Sequence, residues 1–387
     1  MTDVIIAGIG QTPVGEHWDL SLRELSLQAI SAAIGEAGSI RPQALYVANM
    51  LAPLLSRQAH LGALVADFAG LTGIESSSVE AAGASGGAAL RQGYLAVKSG
   101  LVEAVLVVGV EKFTDTIGSD IESAMATTSD VDYESIHGMT PTSQAALLMR
   151  RYLHEYRVPA GGLADFPIQA HANGVGNPCA MYRKSIKKEA YSQADMICDP
   201  LNLLDIAPVA DGAAALLLCR HELLPGKSSF PVVRIAASAQ ASDTLSLHDR
   251  QDMLFFKAAQ RSTSLALQKA GRSRDEVDFF EYHDSFSIFA ALSLEAAGFA
   301  ARGEGWKAAR EGRFAMDGDL PCATLGGLKA RGNPGGATGV YQAVEAALQL
   351  RGLAGRNQVH NARCGMIQSL GGPASTAVTH ILERLEA

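Results

Sequence analysis

Two short segments of small residues, far apart in the chain, each lead directly into a helical pattern. The early turn, AAGASGG, covers residues 81–87 and contains Gly83, and the late turn, GNPGGATG, covers residues 332–339 and contains Asn333. Small residues let another backbone approach closely, and the start of the following helix leaves N–H groups free. Because the turns hold matching places in the two parts of the chain, they predict one α/β unit that occurs twice.

Strands and helices alternate around both turns. An apolar run at residues 4–9 predicts a strand, and Ser21 with Glu24 predicts a capping box for a helix that stops at Gly38. The other predicted strands lie at 44–48, 104–110, 277–281, 364–367 and 376–382, and the other helices at 61–68, from the early turn to residue 99, and at 258–270, 287–297 and 340–350. This alternation predicts a mainly parallel sheet covered by helices on both faces.

The duplication divides the chain into an N-terminal half, residues 1–240, and a C-terminal half, residues 241–387. Between the repeated elements, residues 114–200 form a segment of weaker periodicity that contains Gly161-Gly162 and Asn177-Pro178. A long segment of this kind is typical of a loop region laid over an active site. We therefore expect a loop insertion within the N-terminal half.

The charge of the chain argues against nucleic-acid binding. The net charge is -8 and the pI is near 5.7, whereas a nucleic-acid groove needs clustered Lys and Arg. The most basic segment, RKSIKK at 183–188, is interpreted as a solvated helix face or as a site for a nucleotide phosphate. We expect no nucleic-acid partner.

Cysteine usage and hydropathy indicate a reducing compartment. The five cysteines are scattered and contain no C-x-x-C pair, so neither a disulfide framework nor a zinc knuckle is expected. The first residues lack a basic region and run into a strand, and no uncharged apolar run reaches the roughly 18 residues of a membrane span. We expect a soluble, cytoplasmic protein with no membrane span.

Several segments, in order along the chain, resemble the signature blocks of the thiolase superfamily, especially its lipid-transfer (sterol-carrier-protein) branch. They are the early turn, DGAA at 211–214, EYHDSF at 281–286, GGLKARG at 326–332 and the late turn. The resemblance implies a five-layered α-β-α-β-α fold of two similar halves and a homodimer. It also implies a coenzyme A thioester as substrate, with no covalently bound cofactor and no metal. Some lipid-transfer relatives cleave β-hydroxyacyl-CoA with a partner that bears a zinc ribbon and an OB-fold, and such a partner is a candidate here.

The positions that carry chemistry in that family differ in this chain. Gly83 stands where the family's early turn has the cysteine that takes the acyl group, and Asn333 stands where the late turn has a histidine. Ser285 replaces the cysteine of a His-Asp-Cys-Phe block, and Ser369 replaces an acid–base cysteine near the C-terminus. The scaffold thus resembles a thiolase without its nucleophile.

The candidate catalytic residues follow from these positions. His283 is interpreted as an oxyanion donor or general base at the end of a strand, or as a histidine bonded to backbone at the edge of the core. Asn333 can donate a hydrogen bond but cannot shuttle protons near neutral pH, and its alternative role is turn geometry. Gly83 offers its backbone alone, and Asp284 is expected to cap the helix that follows it. The residues expected to bind substrate are Ser85, Gly86, Ser285, Gly336, Ser369 and Gly371.

Three functions remain open from the sequence. The first is an enzyme that makes or breaks a carbon–carbon bond on an acyl-CoA, by Claisen or retro-aldol chemistry, without a cysteine acyl-enzyme. Such chemistry needs a base and donors that stabilise an enolate or oxyanion. The second is a non-catalytic acyl-CoA-binding subunit of a partner complex. The third is an acetyl-CoA C-acyltransferase whose nucleophilic cysteine has been replaced.

Overall fold

The computed structural model describes residues 3–224 and 230–385. Its strands are β1 Val4–Gln11, β2 Ala44–Ala48, β3 Glu75–Val79, β4 Ala104–Glu111, β5 Met196–Cys198, β6 Leu201–Asn202, β7 Gly212–Arg220, β8 Val233–Ser242, β9 Phe279–Glu281, β10 Cys364–Gly371 and β11 Thr376–Arg384. Its α-helices are α1 Leu22–Ala37, α2 Ala52–Leu55, α3 Leu61–Phe68, α4 Ser85–Ser99, α5 Gly118–Ala126, α6 Pro141–Glu155, α7 Asp165–Gly174, α8 Lys188–Gln193, α9 Lys257–Ala270, α10 Ser287–Ala297, α11 Gly305–Arg310, α12 Gly327–Arg331 and α13 Thr338–Arg351.

The predicted helices and strands are present, and their ends follow from local signals. Helix α1 begins at the predicted capping box: the Ser21 N–H donates to Glu24 Oε2 at 2.8 Å, and the Glu24 N–H donates to Ser21 Oγ at 3.4 Å. Helices α9 and α13 end at Gly271 and Gly352, both in the left-handed conformation that suits glycine. Sequence-local chemistry therefore determined where these elements begin and end.

Nine strands of the described residues form one sheet, in the order β3-β2-β4-β7-β1-β8-β11-β10-β9. The prediction of a mainly parallel sheet is wrong. Strands β3 and β4 run parallel to β2, and β9 runs parallel to β10, but the remaining pairs are antiparallel. Strands β7 and β8 were not predicted, and both pair with β1. The short turn between β10 and β11 can join only antiparallel strands.

The sheet and helices form five layers. Helices α4 and α13 contact both parts of the sheet: β4 and β7 in its N-terminal part, and β10 and β11 in its C-terminal part. Helices α1 and α3 cover the outer face of the N-terminal strands, while α9 covers the outer face of β8 and β11. Alternate β4 residues enter different clusters: Val105 and Val107 pack with α4 and α13, and Leu106 and Val108 pack with α1. The predicted α-β-α-β-α arrangement is confirmed.

The two central helices approach each other through glycines. A Cβ atom on Gly86 would lie 2.7 Å from the backbone nitrogen of Gly339, and one on Gly339 would lie 2.2 Å from that of Gly87. Because these distances are shorter than any real Cβ contact, the helix starts can meet only where the side chains are absent. This contact holds the early and late turns side by side.

The loop insertion lies between β4 and β7. It contains α5 to α8 and the small β5–β6 pair, and α6 and α7 contact α10 of the C-terminal half. The insertion thereby brings residues of its own helices to the region of the two turns. The predicted boundary near residue 240 falls inside β8.

Candidate active site

A small cavity lies where the early turn, the late turn, the end of β9 and the loop insertion meet. Its volume is about 70 Å³. Four predicted site residues line it: Gly83, His283, Ser285 and Asn333. The rest of the lining is Met50, Glu122, Met125, Pro141, Thr142, Gln144, Ile206, Ala207, Val209, Phe286, Phe289, Gly335, Leu370, Gly372 and Pro373.

His283 follows β9 and is buried at the cavity wall. Its Nδ1 has no hydrogen-bond partner in the described part of the chain, and Nε2 lies 3.3 Å from the position of a Cβ at residue 83. Burial, with a smaller effect from the Arg331 guanidinium, lowers the pKa of His283 to about 3. The imidazole is therefore neutral at physiological pH, and it can donate a hydrogen bond without carrying a charge.

Asn333 is fixed by the hydrogen bonds of the late turn. Its N–H donates to the Pro208 carbonyl at 2.8 Å, while its Oδ1 accepts from the Gly335 N–H at 3.2 Å and from Thr338 Oγ1 at 3.3 Å. Within residues 3–224 and 230–385 the Nδ2 group donates to no acceptor. The oxygen thus serves turn geometry, and the nitrogen is available to a ligand.

Gly83 presents backbone to the cavity in a space too small for a side chain. A Cβ there would lie 2.7 Å from the Leu370 carbonyl oxygen and 3.1 Å from His283 Cε1. The Gly83 N–H has no acceptor in the part of the chain that the structure describes. The early turn therefore offers an N–H donor beside His283 and Asn333.

The remaining predicted substrate-binding residues lie around the cavity without lining it. Ser85 Oγ donates to the Ala82 carbonyl at 2.6 Å and accepts from the Ala81 N–H at 2.9 Å, so it holds the early turn. Ser369 Oγ donates to Gln342 Oε1 at 2.8 Å. Gly86, Gly336 and Gly371 sit where backbone of another segment approaches a Cβ position within 2.7 Å. In the structure the two serines make internal hydrogen bonds and the three glycines allow close backbone approach, and substrate binding by these five residues stays a prediction.

Gln342 links Ser369 to the strand end that carries His283. Its Nε2 donates to the carbonyls of Glu281, Tyr282 and Gln368 at 2.9 to 3.2 Å. Since Tyr282 precedes His283, this amide fixes the backbone from which the imidazole projects. A side chain of the central helix α13 thus positions the site, which the sequence did not indicate.

The sequence analysis also missed two buried acidic groups near the site. Glu345 accepts from Arg331 Nη1 at 2.7 Å, and Glu281 accepts from the Thr324 N–H at 3.0 Å. Burial, and then the neighbouring Glu345 carboxylate, raises the pKa of Glu281.

Asp284, expected to cap α10, instead accepts from the Leu328 N–H at 2.7 Å and so caps α12. That prediction is wrong because the partner lies far away in sequence.

Glu111 supports the cavity from below the late turn. Its carboxylate accepts from the N–H groups of Met50, Leu51 and Gly336 and from Asn49 Nδ2, at 2.8 to 3.2 Å. Burial raises its pKa to about 7, and these four donors oppose the effect. Glu111 thereby ties β4 and the late turn to the Met50 side of the cavity.

A larger apolar groove of about 950 Å³ lies elsewhere, along α6. Its lining includes Leu147, Arg151, Leu247 and Met253, and it contains none of the predicted site residues. We place the candidate site in the smaller cavity because unpaired donors from both halves converge there. Among the described residues, no group of three or more His, Cys, Asp or Glu could hold a metal ion, and no helix is long and apolar enough to cross a membrane.

Comparison with known families agrees with this architecture. The thiolase N-terminal domain family matches residues 4–222, and the thiolase C-terminal domain-like family matches residues 239–384. The chain therefore belongs to the thiolase superfamily. The acetyl-CoA acetyltransferase of Methanothermobacter thermautotrophicus is 43% identical over 386 residues, which cover 99% of this chain and 100% of the relative.

Two further similarities are to a curated relative and to a solved structure. Bovine sterol carrier protein 2 is 28% identical over 80% of this chain, and the match spans 59% of that protein's length. Among solved structures, an Ltp2-ChsH2(DUF35) aldolase superposes with a TM-score of 0.82 at 23% identity, over 99% of this chain and 98% of that one. At this identity the structural similarity concerns the fold.

Proposed function

We propose that the protein is a thiolase-superfamily enzyme that makes or breaks a carbon–carbon bond on an acyl-CoA thioester without a cysteine acyl-enzyme. The observation that carries the proposal is the cavity itself. Unpaired donors on His283, Asn333 and the Gly83 backbone line it, and the early turn supplies no thiol at residue 83. A site with oxyanion donors but no cysteine thiol suits chemistry through an enolate.

In the retro-aldol direction, we assign to the Glu122 carboxylate, which lines the cavity, the role of the base that takes the proton of a β-hydroxyl group. The bond between the α- and β-carbons breaks, the β-carbon becomes a carbonyl, and the bonding electrons form an enolate on the thioester. The proton held by Glu122 then passes to the α-carbon and gives the shorter acyl-CoA. We assign the thioester oxygen to donors on His283, Asn333 Nδ2 and the Gly83 N–H. A neutral imidazole with a low pKa is suited to donation, because it stabilises the developing charge without giving up its proton. In the opposite direction the same donors would stabilise the enolate that attacks.

A second candidate is acetyl-CoA C-acyltransfer. It is favoured by the 43% identity to an acetyl-CoA acetyltransferase. Under this alternative the residue at position 83 is a replacement of the nucleophilic cysteine. The crowded space beside Leu370 weighs against it, because a cysteine Cβ would have to displace a backbone carbonyl.

The assembly proposed for this enzyme is a cytoplasmic homodimer, with a zinc-ribbon/OB-fold protein as a further partner. Strand β3 ends the sheet, and residues 75–78 on it are exposed, so an unpaired strand edge is available to a second copy. The aldolase of similar fold was solved as a complex with a DUF35 protein, which motivates the partner. Both remain proposals.

The direct test is to incubate the full chain with β-ketoacyl- and β-hydroxyacyl-CoAs, alone and with partner proteins, and to follow products by mass spectrometry. Loss of either donor in His283→Ala or Asn333→Ala should lower turnover about 10²–10³-fold. The double variant should lose less than the product of the two factors, because donors to one oxygen act as a unit. Full activity in both single variants would refute the enzymatic proposal and favour a binding subunit.

A further inference from the structure

Glu111 is a fully buried carboxylate at the end of β4, and it holds two segments that border the cavity. Its Oε1 accepts from Asn49 Nδ2 at 2.8 Å and from the Leu51 N–H at 3.2 Å. Its Oε2 accepts from the Met50 N–H at 2.8 Å and from the Gly336 N–H at 3.0 Å. All four donors are amide groups and none carries a charge. A buried carboxylate is costly unless donors compensate it, and here these four amides supply the compensation.

The late turn holds the Asn333 side chain through two consecutive N–H groups. The Gly335 N–H donates to Asn333 Oδ1 at 3.2 Å, and the next N–H, that of Gly336, donates to Glu111. The first bond engages the oxygen of the Asn333 amide and leaves Nδ2 for a ligand. The second bond fixes the peptide that follows Gly335, so it also determines where the first bond lies.

The late turn also packs directly on Glu111. A Cβ atom on Gly335 would lie 3.0 Å from Glu111 Cγ, and one on Gly336 would lie 2.7 Å from the Met50 nitrogen, which the same carboxylate holds. The turn therefore rests on the Glu111 side chain and on backbone that this side chain fixes. Because no atoms lie between them, a change at Glu111 must reach the turn.

We propose that Glu111 is a positioning residue that directs Asn333 Nδ2 toward the thioester oxygen of the enolate. This rests on the proposed function and adds to it a residue that is not part of the cavity lining. In Glu111→Gln one carboxylate oxygen becomes an NH₂ group, so two of the four donors lose their acceptor. The other two face a neutral oxygen, to which hydrogen bonds are about half as strong. The late turn then loses its support, and Asn333 loses its fixed direction.

The test measures the enolate of bound acetoacetyl-CoA by its ultraviolet absorbance, at saturating protein and without free CoA, so that no turnover is needed. Asn333→Ala should lower the ratio of bound enolate to bound keto form about 10- to 100-fold, the factor of one hydrogen bond to a charged group. Glu111→Gln should lower it about 3-fold or more. The double variant should match Asn333→Ala alone, because Glu111 acts through Asn333.

A matched control removes a different buried carboxylate. Glu295 on α10 accepts from the N–H groups of Gly303 and Gly305, both at 2.9 Å, and makes no hydrogen bond to the late turn. Glu295→Gln is the same chemical change and should keep the wild-type ratio. Glu111→Asp is the second variant if Gln lowers stability, because it keeps the charge and withdraws the acceptor by one methylene. The Kd for acetoacetyl-CoA and urea unfolding report that each variant is folded.

The other outcomes separate this role from the proposed function. If Asn333→Ala lowers the enolate ratio but both Glu111 variants keep it, the role of Glu111 is refuted and the proposed function stands. If the losses multiply in the double variant, Glu111 does not act through Asn333, and its role is refuted as well. If Asn333→Ala keeps the wild-type ratio, Asn333 is not an enolate donor and the role of Glu111 is refuted with it. If the wild type does not raise the enolate fraction above that in buffer, both the oxyanion site and the role of Glu111 are refuted.

Discussion

The space at Gly83 predicts that even the smallest side chain will disturb the site. In Gly83→Ala the new Cβ would lie 2.7 Å from the Leu370 carbonyl oxygen, about 0.5–1 Å inside normal contact, and 3.1 and 3.3 Å from two atoms of the His283 ring. The oxygen belongs to β10, in which Leu370 is paired with Ala377 of β11, so the carbonyl cannot shift without disturbing that pairing. We expect a loss of about 1–3 kcal/mol in the free energy of unfolding, the usual cost of overpacking.

The measurement is urea unfolding of wild type and variant at one protein concentration, so that any coupling to oligomerisation is held fixed. Gly35→Ala is the matched control. Gly35 is an exposed residue inside α1 with no atom within 4 Å of its Cβ position, so the same chemical change should stabilise by about 0.5–1 kcal/mol. The two alanine variants should therefore change stability in opposite directions.

The same crowding at residue 83 should also weaken ligand binding. Because the Gly83 Cβ position faces His283, Gly83→Ala should also weaken butyryl-CoA binding, whereas Gly35→Ala should not. Gly83→Cys places its Cβ against the same carbonyl and should show a similar loss of stability. Wild-type stability and binding in Gly83→Ala would refute the argument that residue 83 has no room, and so would a stable Gly83→Cys that forms an acetyl adduct at full occupancy.

Three further predictions concern chemistry, pH and assembly. Exposure of the wild-type chain to acetyl-CoA should give no stable acetyl adduct by intact-mass spectrometry, because residue 83 has no thiol; an adduct on Ser85 would contradict the mechanism. Burial lowers the pKa of both His283 and His380 to about 3, so the unfolded chain binds protons that the folded chain does not, and stability should fall as the pH drops from about 6.5 toward 3. His380→Gln should reduce that slope by about 1.4 kcal/mol per pH unit, and an unchanged slope would show that this histidine is not buried neutral. Light scattering should give the mass of a dimer, and Ser77→Pro on the exposed edge strand β3 should yield the monomer; a monomeric wild type would exclude the homodimer.

The sequence alone determined the local elements and the family. Helix α1 and its capping box, the glycine stops after α9 and α13, and the two turns are encoded within a few residues, because capping and turn geometry depend on near neighbours. The signature blocks further implied that His283, Asn333 and Gly83 share one site. The structure places all three on one cavity.

Tertiary structure decided what depends on distant partners. The antiparallel centre of the sheet follows from β7 and β8 pairing with β1, a choice that no local periodicity records. Asp284 accepts a hydrogen bond from the Leu328 N–H, and Ser369 donates one to Gln342, in each case across a long stretch of chain. The neutral state of His283 arises from burial, which a sequence does not display because it depends on what packs around the imidazole.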